Sequence, residues 1–129
     1  MKSILITNNP LVNEKFSDKI ETVYEKNFSY LELLIYARDE VHKGRALLTH
    51  PLSSSIKPNE TPYKSILVTK QKSAIDFDSV KIIEDCIAAC KKFLENKKLP
   101  NWTSKIRQDF MLVDYDLISH PIELSLQGH

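Results

Sequence analysis

Residues 50–64 join two short apolar runs without any helical pattern, and this connection constrains the fold more than any other stretch. Positions 49–65 read THPLSSSIKPNETPYKS, with three of the chain's six prolines, no glycine and almost no apolar side chains. Parallel neighbouring strands need a crossover of a dozen or more residues, usually a helix. This connection is 15 residues long with no helix pattern, so the strand after it is expected to return antiparallel. Ordered loops of this length are uncommon in compact domains and usually bind or cover something. The same residues therefore nominate a site.

The flanking sequence supplies the elements. Residues 3–7 (SILIT) read as a buried strand closed by Asn8, Asn9 and Pro10. Asn9 can cap a helix and Pro10 can take its first position, where the missing N–H would have had no intrahelical partner. A helix over residues 10–19 follows, with Leu11, Val12, Phe16 and Ile20 as its apolar side. Residues 22–24 form a weak second strand. Ser29-Tyr30-Leu31-Glu32 is a capping box, and helical spacing continues to Gly44, the residue type favoured just past a helix end. Residues 45–49 (RALLT) read as a third strand and residues 65–69 (SILVT) as a fourth.

From Asp76 or Asp78 a helical pattern resumes through Val80, Ile83, Ile87, Cys90 and Leu94 until Pro100 breaks it. A last amphipathic run carries Ile106, Phe110, Val113 and Leu117 and is expected to end at His120-Pro121, because the residue before proline avoids the helical region. In the tail IELSLQGH, Ile122, Leu124 and Leu126 alternate, which fits an edge strand or a partner contact. The order β-α-β-α-β-β-α-α predicts an α/β fold, a small three-layer sandwich around a mostly parallel four-stranded sheet. A chain of 129 residues makes this a single domain over residues 1–129.

Composition narrows the class of function. With 42% hydrophobic and 27% charged residues the chain reads as globular. Its 18 basic and 17 acidic residues give a formal charge of +1, so nucleic acid is not an expected partner, and neither is a membrane. The apolar run in MKSILITNNP is too brief for a signal peptide, which points to the cytoplasm. Cys86 and Cys90, four apart on an apolar helix face, are expected as buried thiols, since they lack C-x-x-C spacing. His42, His50, His120 and His129 are scattered, so no metal site is expected. With Gly44 and Gly128 the only glycines, no phosphate-cradling motif is present and no cofactor is called for.

If strands 3–7 and 45–49 are parallel neighbours, Asn8 and Asn9 leave one carboxyl end and His50 leaves the other, on the rim where open α/β sheets bind ligands. The N–H groups of Leu11, Val12 and Asn13 at the helix start suit an anion. Lys57, Lys64 and the hydroxyls of Ser53, Ser54, Ser55 and Thr61 can complete such a site, with Asn59 and Glu60 in the same loop. His50 is the candidate for acid–base work, because its ordinary pKa lies near neutrality. Each has a plainer reading beside it: Asn8 and Asn9 as caps, His50 as a loop fastener, and residues 57–62 as turns stiffened by proline.

Through ITNNPLV near the start, and RDEVHKGRALLTHPL and LLTHPLSSSIKPNETPYKSILV in the middle, the chain resembles the GrdX family. These are small proteins associated with the glycine, sarcosine and betaine reductase systems of anaerobic bacteria. The resemblance implies an accessory role near selenium-dependent amino-acid reduction and brings no catalytic residues with it. It also implies that Asn8, Asn9, Pro10, His50, Pro51 and residues 57–64 form a family feature. The chain's two cysteines lie on an apolar face, so it is not expected to carry out the reduction itself.

Two functions follow. In the first, the protein binds a small anionic metabolite under the 49–65 loop. The alternative is a protein-interaction or assembly factor for the reductase complex, without a ligand pocket, using the loop and the tail as contact surfaces. An enzyme with His50 as general base comes third. The partners expected are thus a small anionic metabolite, reductase-complex components, or a second copy of the chain.

Overall fold

The computed structural model describes residues 2–52, 56–96 and 98–127. Seven elements follow in the order β1 (Ser3–Thr7), α1 (Pro10–Phe16), β2 (Glu21–Tyr24), α2 (Tyr30–His42), β3 (Ser65–Thr69), α3 (Phe77–Asn96) and α4 (Ser104–Gln127). The sheet has the order β2-β1-β3. β1 runs parallel to β2, with Leu5 opposite Thr22, and antiparallel to β3, with Leu5 opposite Leu67.

Side chains alternate across these strands. Ile4, Ile6, Ile66 and Val68 pack on one face against Leu33, Leu34, Ala37 and Val41 of α2 and Ile83, Ile87 and Cys90 of α3. Leu5 and Leu67 point the other way, toward Val12 and Phe16 of α1 and Ile118 and Ile122 of α4. Both helix starts expected from local signals are present: Asn9 caps α1 by accepting from Leu11 N, and Ser29 with Glu32 closes the capping box of α2.

The sheet corrects the expected architecture. It is three-stranded and mixed, with one parallel and one antiparallel pair, in place of a mostly parallel sheet of four strands. Residues 45–49 do not form a strand; only Leu47 makes an isolated antiparallel bridge, to Val68. Side-chain hydroxyls intercept the ladder there. Ala46 N donates to Thr69 Oγ1, Leu47 N to Ser79 Oγ and Leu67 N to Thr49 Oγ1. The segment consequently lies beyond β3, which separates it from β1.

The C-terminal tail is the second correction. α4 continues through Pro121 to Gln127, so Ile122, Leu124 and Leu126 are helical. An interior proline costs roughly 3 kcal/mol, and burial of Ile118 and Ile122 on both sides of it, at 3% and 0% exposure, offsets that cost. The buried stripe of α4 is also displaced from the expected one. Asp114, Ile118 and Ile122 face inward, while Ile106 and Leu117 are exposed.

Cys86 and Cys90 are buried free thiols in the α2–α3 core. Burial, with Cys86 alongside, pushes the Cys90 thiol up from 9.0 to about 11. The fold thus holds this proton more tightly than the unfolded chain does. The associated stability is present in full below pH 9 and is lost as pH rises through 11, amounting to about 2–3 kcal/mol by linkage. Urea unfolding followed from pH 8 to 11 should show this loss, and Cys90→Ala should flatten the slope. An unchanged slope in the variant would remove Cys90 as its source.

Candidate functional site

The rim at the carboxyl ends of β1 and β2 is organised by Asn8, which is 2% exposed. Its Nδ2 donates to the carbonyls of Phe28 and Pro62, both at 2.9 Å, and its Oδ1 accepts from Lys64 N at 2.9 Å. One side chain thus ties the end of β1 to the β2–α2 connection and to the segment leading into β3. An amide suits this position because it supplies donors and an acceptor together.

Beside Asn8 opens a cleft of about 480 Å³. Its walls include Phe28, Tyr63, Trp102 and Met111, and Pro58, Thr61 and Pro62 form the loop side. Two cations, Lys26 and Arg107, lie on it, and neither has an ion pair among the described residues. Trp102 Nε1 donates to Glu60 O at 3.0 Å, and the Arg107 guanidinium stands 5.7 Å from the centre of the Trp102 ring. The connection between α3 and α4 is thereby fastened to the proline-containing loop. The volume and the mixture of apolar walls with a few polar groups are those of small-molecule sites.

The sequence-derived site residues divide among several places. Asn8 and Thr61 line the cleft. Lys57 and Glu60 are exposed outside it, Lys57 Nζ lying 5.6 Å from the Phe93 ring centre and Glu60 Oε1 accepting from Lys57 N. Asn59 is buried, and its Oδ1 has no hydrogen-bond partner among the described residues. Asn9 is fully enclosed, its Oδ1 on Leu11 N and its Nδ2 on Met111 O and Asp114 Oδ2. The N–H groups of Leu11 and Asn13 therefore already have acceptors in Asn9, and Val12 is wholly buried in the core. Ser53, Ser54 and Ser55 lie outside the described residues.

His50 and Lys64 line a different, smaller cavity of about 80 Å³ together with Thr49, Ser65 and Asp114. His50 Nδ1 accepts from Leu52 N at 3.0 Å. In the neutral ring the proton is then on Nε2, which suits a donor and opposes a general base. Asp114 Oδ1 accepts from Ser65 N, and its Oδ2 from Ser65 Oγ and Asn9 Nδ2. Burial pushes the Asp114 carboxyl up against the pull of these donors. Burial likewise pushes the Lys64 ammonium down, with Asp114 acting in the opposite direction.

Phe28, Trp102, Arg107, Lys26 and Asp114 were not among the sequence candidates. Two signals were there to be read. Trp102 is the chain's only tryptophan, placed just after the helix-breaking proline. Asp114 falls four residues after Phe110 and four before Ile118, an acid within an apolar helical register.

No group of three or more metal-ligating His, Cys, Asp or Glu occurs among the described residues, and no described helix is long and apolar enough to cross a membrane. Neither a curated protein nor a solved structure matches the chain. A family model described as GrdX-like protein matches residues 4–123, from β1 through most of α4 and including every described residue of the cleft and of the smaller cavity. The chain belongs to the GrdX-like family.

Proposed function

We propose that the protein is an accessory factor of glycine, sarcosine or betaine reductase systems that binds a small anionic metabolite under the 49–65 loop. The family membership supports the accessory role. The ligand reading rests on one observation: a cleft of about 480 Å³ that joins aromatic walls to Lys26 and Arg107, two cations without ion pairs among the described residues. Apolar walls desolvate a ligand and strengthen its pairing with a cation at the rim. The occupant is accordingly a carboxylate or phosphate ester with an apolar portion. The cations that would hold it are Lys26 and Arg107 in place of Lys57, which lies against Phe93.

Thermal unfolding in the presence of a panel of small carboxylates and phosphate esters tests this. A ligand at a hundred times its dissociation constant stabilises by about 2.7 kcal/mol. At least one member should raise the midpoint, and Arg107→Gln should weaken its binding by about tenfold, roughly 1.4 kcal/mol. A panel that shifts nothing, or shifts wild type and Arg107→Gln equally, would sink the proposal.

The assembly reading has its own support in α4, where Ile106, Leu117 and Leu124 are 43%, 50% and 53% exposed. Spacings of eleven and seven residues put all three on one helical face. Co-purification with reductase components that disappears in a Leu117→Glu, Leu124→Glu variant, yet survives Arg107→Gln, would favour this function over ligand binding.

A further inference from the structure

We propose that Lys64 is an imine-forming lysine that takes a small carbonyl compound, an aldehyde or a 2-oxo acid, in the cavity it shares with Asp114. That cavity has no lining residue in common with the larger cleft, and the proposal does not depend on the cleft's occupant.

Lysines are almost never fully buried unless paired. Lys64 is only 8% exposed, and no described group accepts a hydrogen bond from its Nζ or forms an ion pair with it. The position is fixed by the backbone. Lys64 N donates to Asn8 Oδ1 and Lys64 O accepts from Asn8 N, immediately before the first residue of β3. The stem therefore starts at the sheet rim, and Lys64 lines the 80 Å³ cavity and an adjoining space of about 10 Å³.

The titratable groups around it among the described residues are Asp114 from α4, Cys86 from α3, His50 from the preceding segment, and Tyr30 and Tyr63, which line the adjoining space with Lys64 and Asp114. Asp114 is the opposing charge and favours the ammonium, but no contact ion pair forms between it and Lys64. Asp114 is already engaged by Ser65 and Asn9, Cys86 is a thiol whose pKa burial raises, and His50 uses Nδ1 for Leu52 N. A desolvated amine without a fixed counter-ion spends more of its time as the free base, which is the nucleophilic form. Burial acts on Lys64 in that direction.

Of the cavity's other walls, Leu117, Ile118 and Pro121 are apolar, and Thr49 and Ser65 are polar. A volume of about 80 Å³ holds several waters and thus a molecule of a few heavy atoms. The neutral amine adds to the carbonyl carbon to give a carbinolamine; a C=N double bond then replaces the C=O double bond, and the oxygen leaves as water with the two hydrogens of the amine. The reaction is redox-neutral and needs no co-reactant.

The test traps the adduct on the wild-type chain, so no variant has to fold. The protein is incubated at neutral pH with pyruvate or, separately, acetaldehyde, and sodium cyanoborohydride reduces any imine to a stable amine. Peptide mapping then locates the mass increment. Lys64 should carry the adduct in clear excess over exposed Lys81, because burial favours its free-base form. Preference for pyruvate over acetaldehyde would identify an oxo acid as the class, and the reverse a simple aldehyde. Label spread over exposed lysines with Lys64 no higher would overturn the proposal. So would a cavity that binds acetate saturably while neither carbonyl compound adds to Lys64. The adduct should persist in Arg107→Gln, which separates this result from the fate of the cleft.

Discussion

Asp114→Ala is expected to lower the unfolding free energy by about 3 kcal/mol or more, a large share of the roughly 5–15 kcal/mol that holds a domain of this kind together. The reason is what the carboxylate does at the rim. Asp114, 6% exposed, accepts from the backbone N–H of Ser65 at 3.0 Å, from Ser65 Oγ at 2.7 Å and from Asn9 Nδ2 at 3.0 Å. It thereby fixes α4 to the first residue of β3 and to the cap of α1. Truncation leaves the Ser65 N–H buried without an acceptor, and the orphaned group costs more than the lost bond alone.

Asn9 and the Ser65 hydroxyl suffer less, because Asn9 Nδ2 keeps Met111 O and Ser65 Oγ keeps Thr7 Oγ1. Asp114→Asn should fall between wild type and alanine, retaining one acceptor for Ser65 N but presenting an amide where two donors converge. Asp116→Ala, on the exposed side of the same helix, should stay within about 0.5 kcal/mol. Urea unfolding of the three variants measures this. A loss below 1 kcal/mol for the alanine variant would show that α4 docks without the carboxylate.

Gly44→Ala should cost about 3 kcal/mol, through two separable causes. Gly44 has φ 107°, a conformation that L side chains rarely adopt. An added Cβ would also run into the carbonyl oxygen of Ser73, which is backbone and cannot rotate away. Gly44 O accepts from Ser73 N at 2.9 Å, so the close approach is itself part of the fold. Relief of the clash would have to pull apart the end of α2 and the turn after β3. Guanidinium unfolding of Gly44→Ala beside Ala46→Gly, a change at a half-buried neighbour with no such constraint, would separate local strain from general sensitivity of the turn. Equal losses in the two would argue against strain at Gly44.

What the sequence disclosed follows from the range of the interactions involved. The starts of α1 and α2 were legible because caps act over three residues: Asn9 reaches Leu11, and Ser29 and Glu32 reach each other. The convergence of Asn8 with the loop before β3 could be anticipated only as a shared rim, because its bonds to Phe28, Pro62 and Lys64 span 20, 54 and 56 residues. Residues 45–49 have a strand-like composition, but Thr49, Thr69 and Ser79 supply hydroxyls where a strand would use backbone groups.

α4 shows how tertiary contacts override local preference. Its sequence offers two apolar stripes about a quarter-turn apart, and the site that must accept Ser65 N–H selects the one containing Asp114. The same docking buries Ile122 and carries the helix past Pro121. The cleft was hidden for a related reason. Phe28 and Trp102 are ordinary core-forming residue types in a linear reading, and only the pinning of Trp102 to Glu60 turns them toward one volume.

The hydroxyl-mediated pairing along β3 also bears on how the protein meets its own copies. An unsheathed strand offers a template onto which another chain can add. Here the outer side of β3 is already occupied by Ala46, Leu48 and Thr49, which leaves the four-residue β2 as the outer strand on the other flank. A border that short gives an incoming strand little to zip along, so sheet-to-sheet aggregation is discouraged by the geometry of the native state itself.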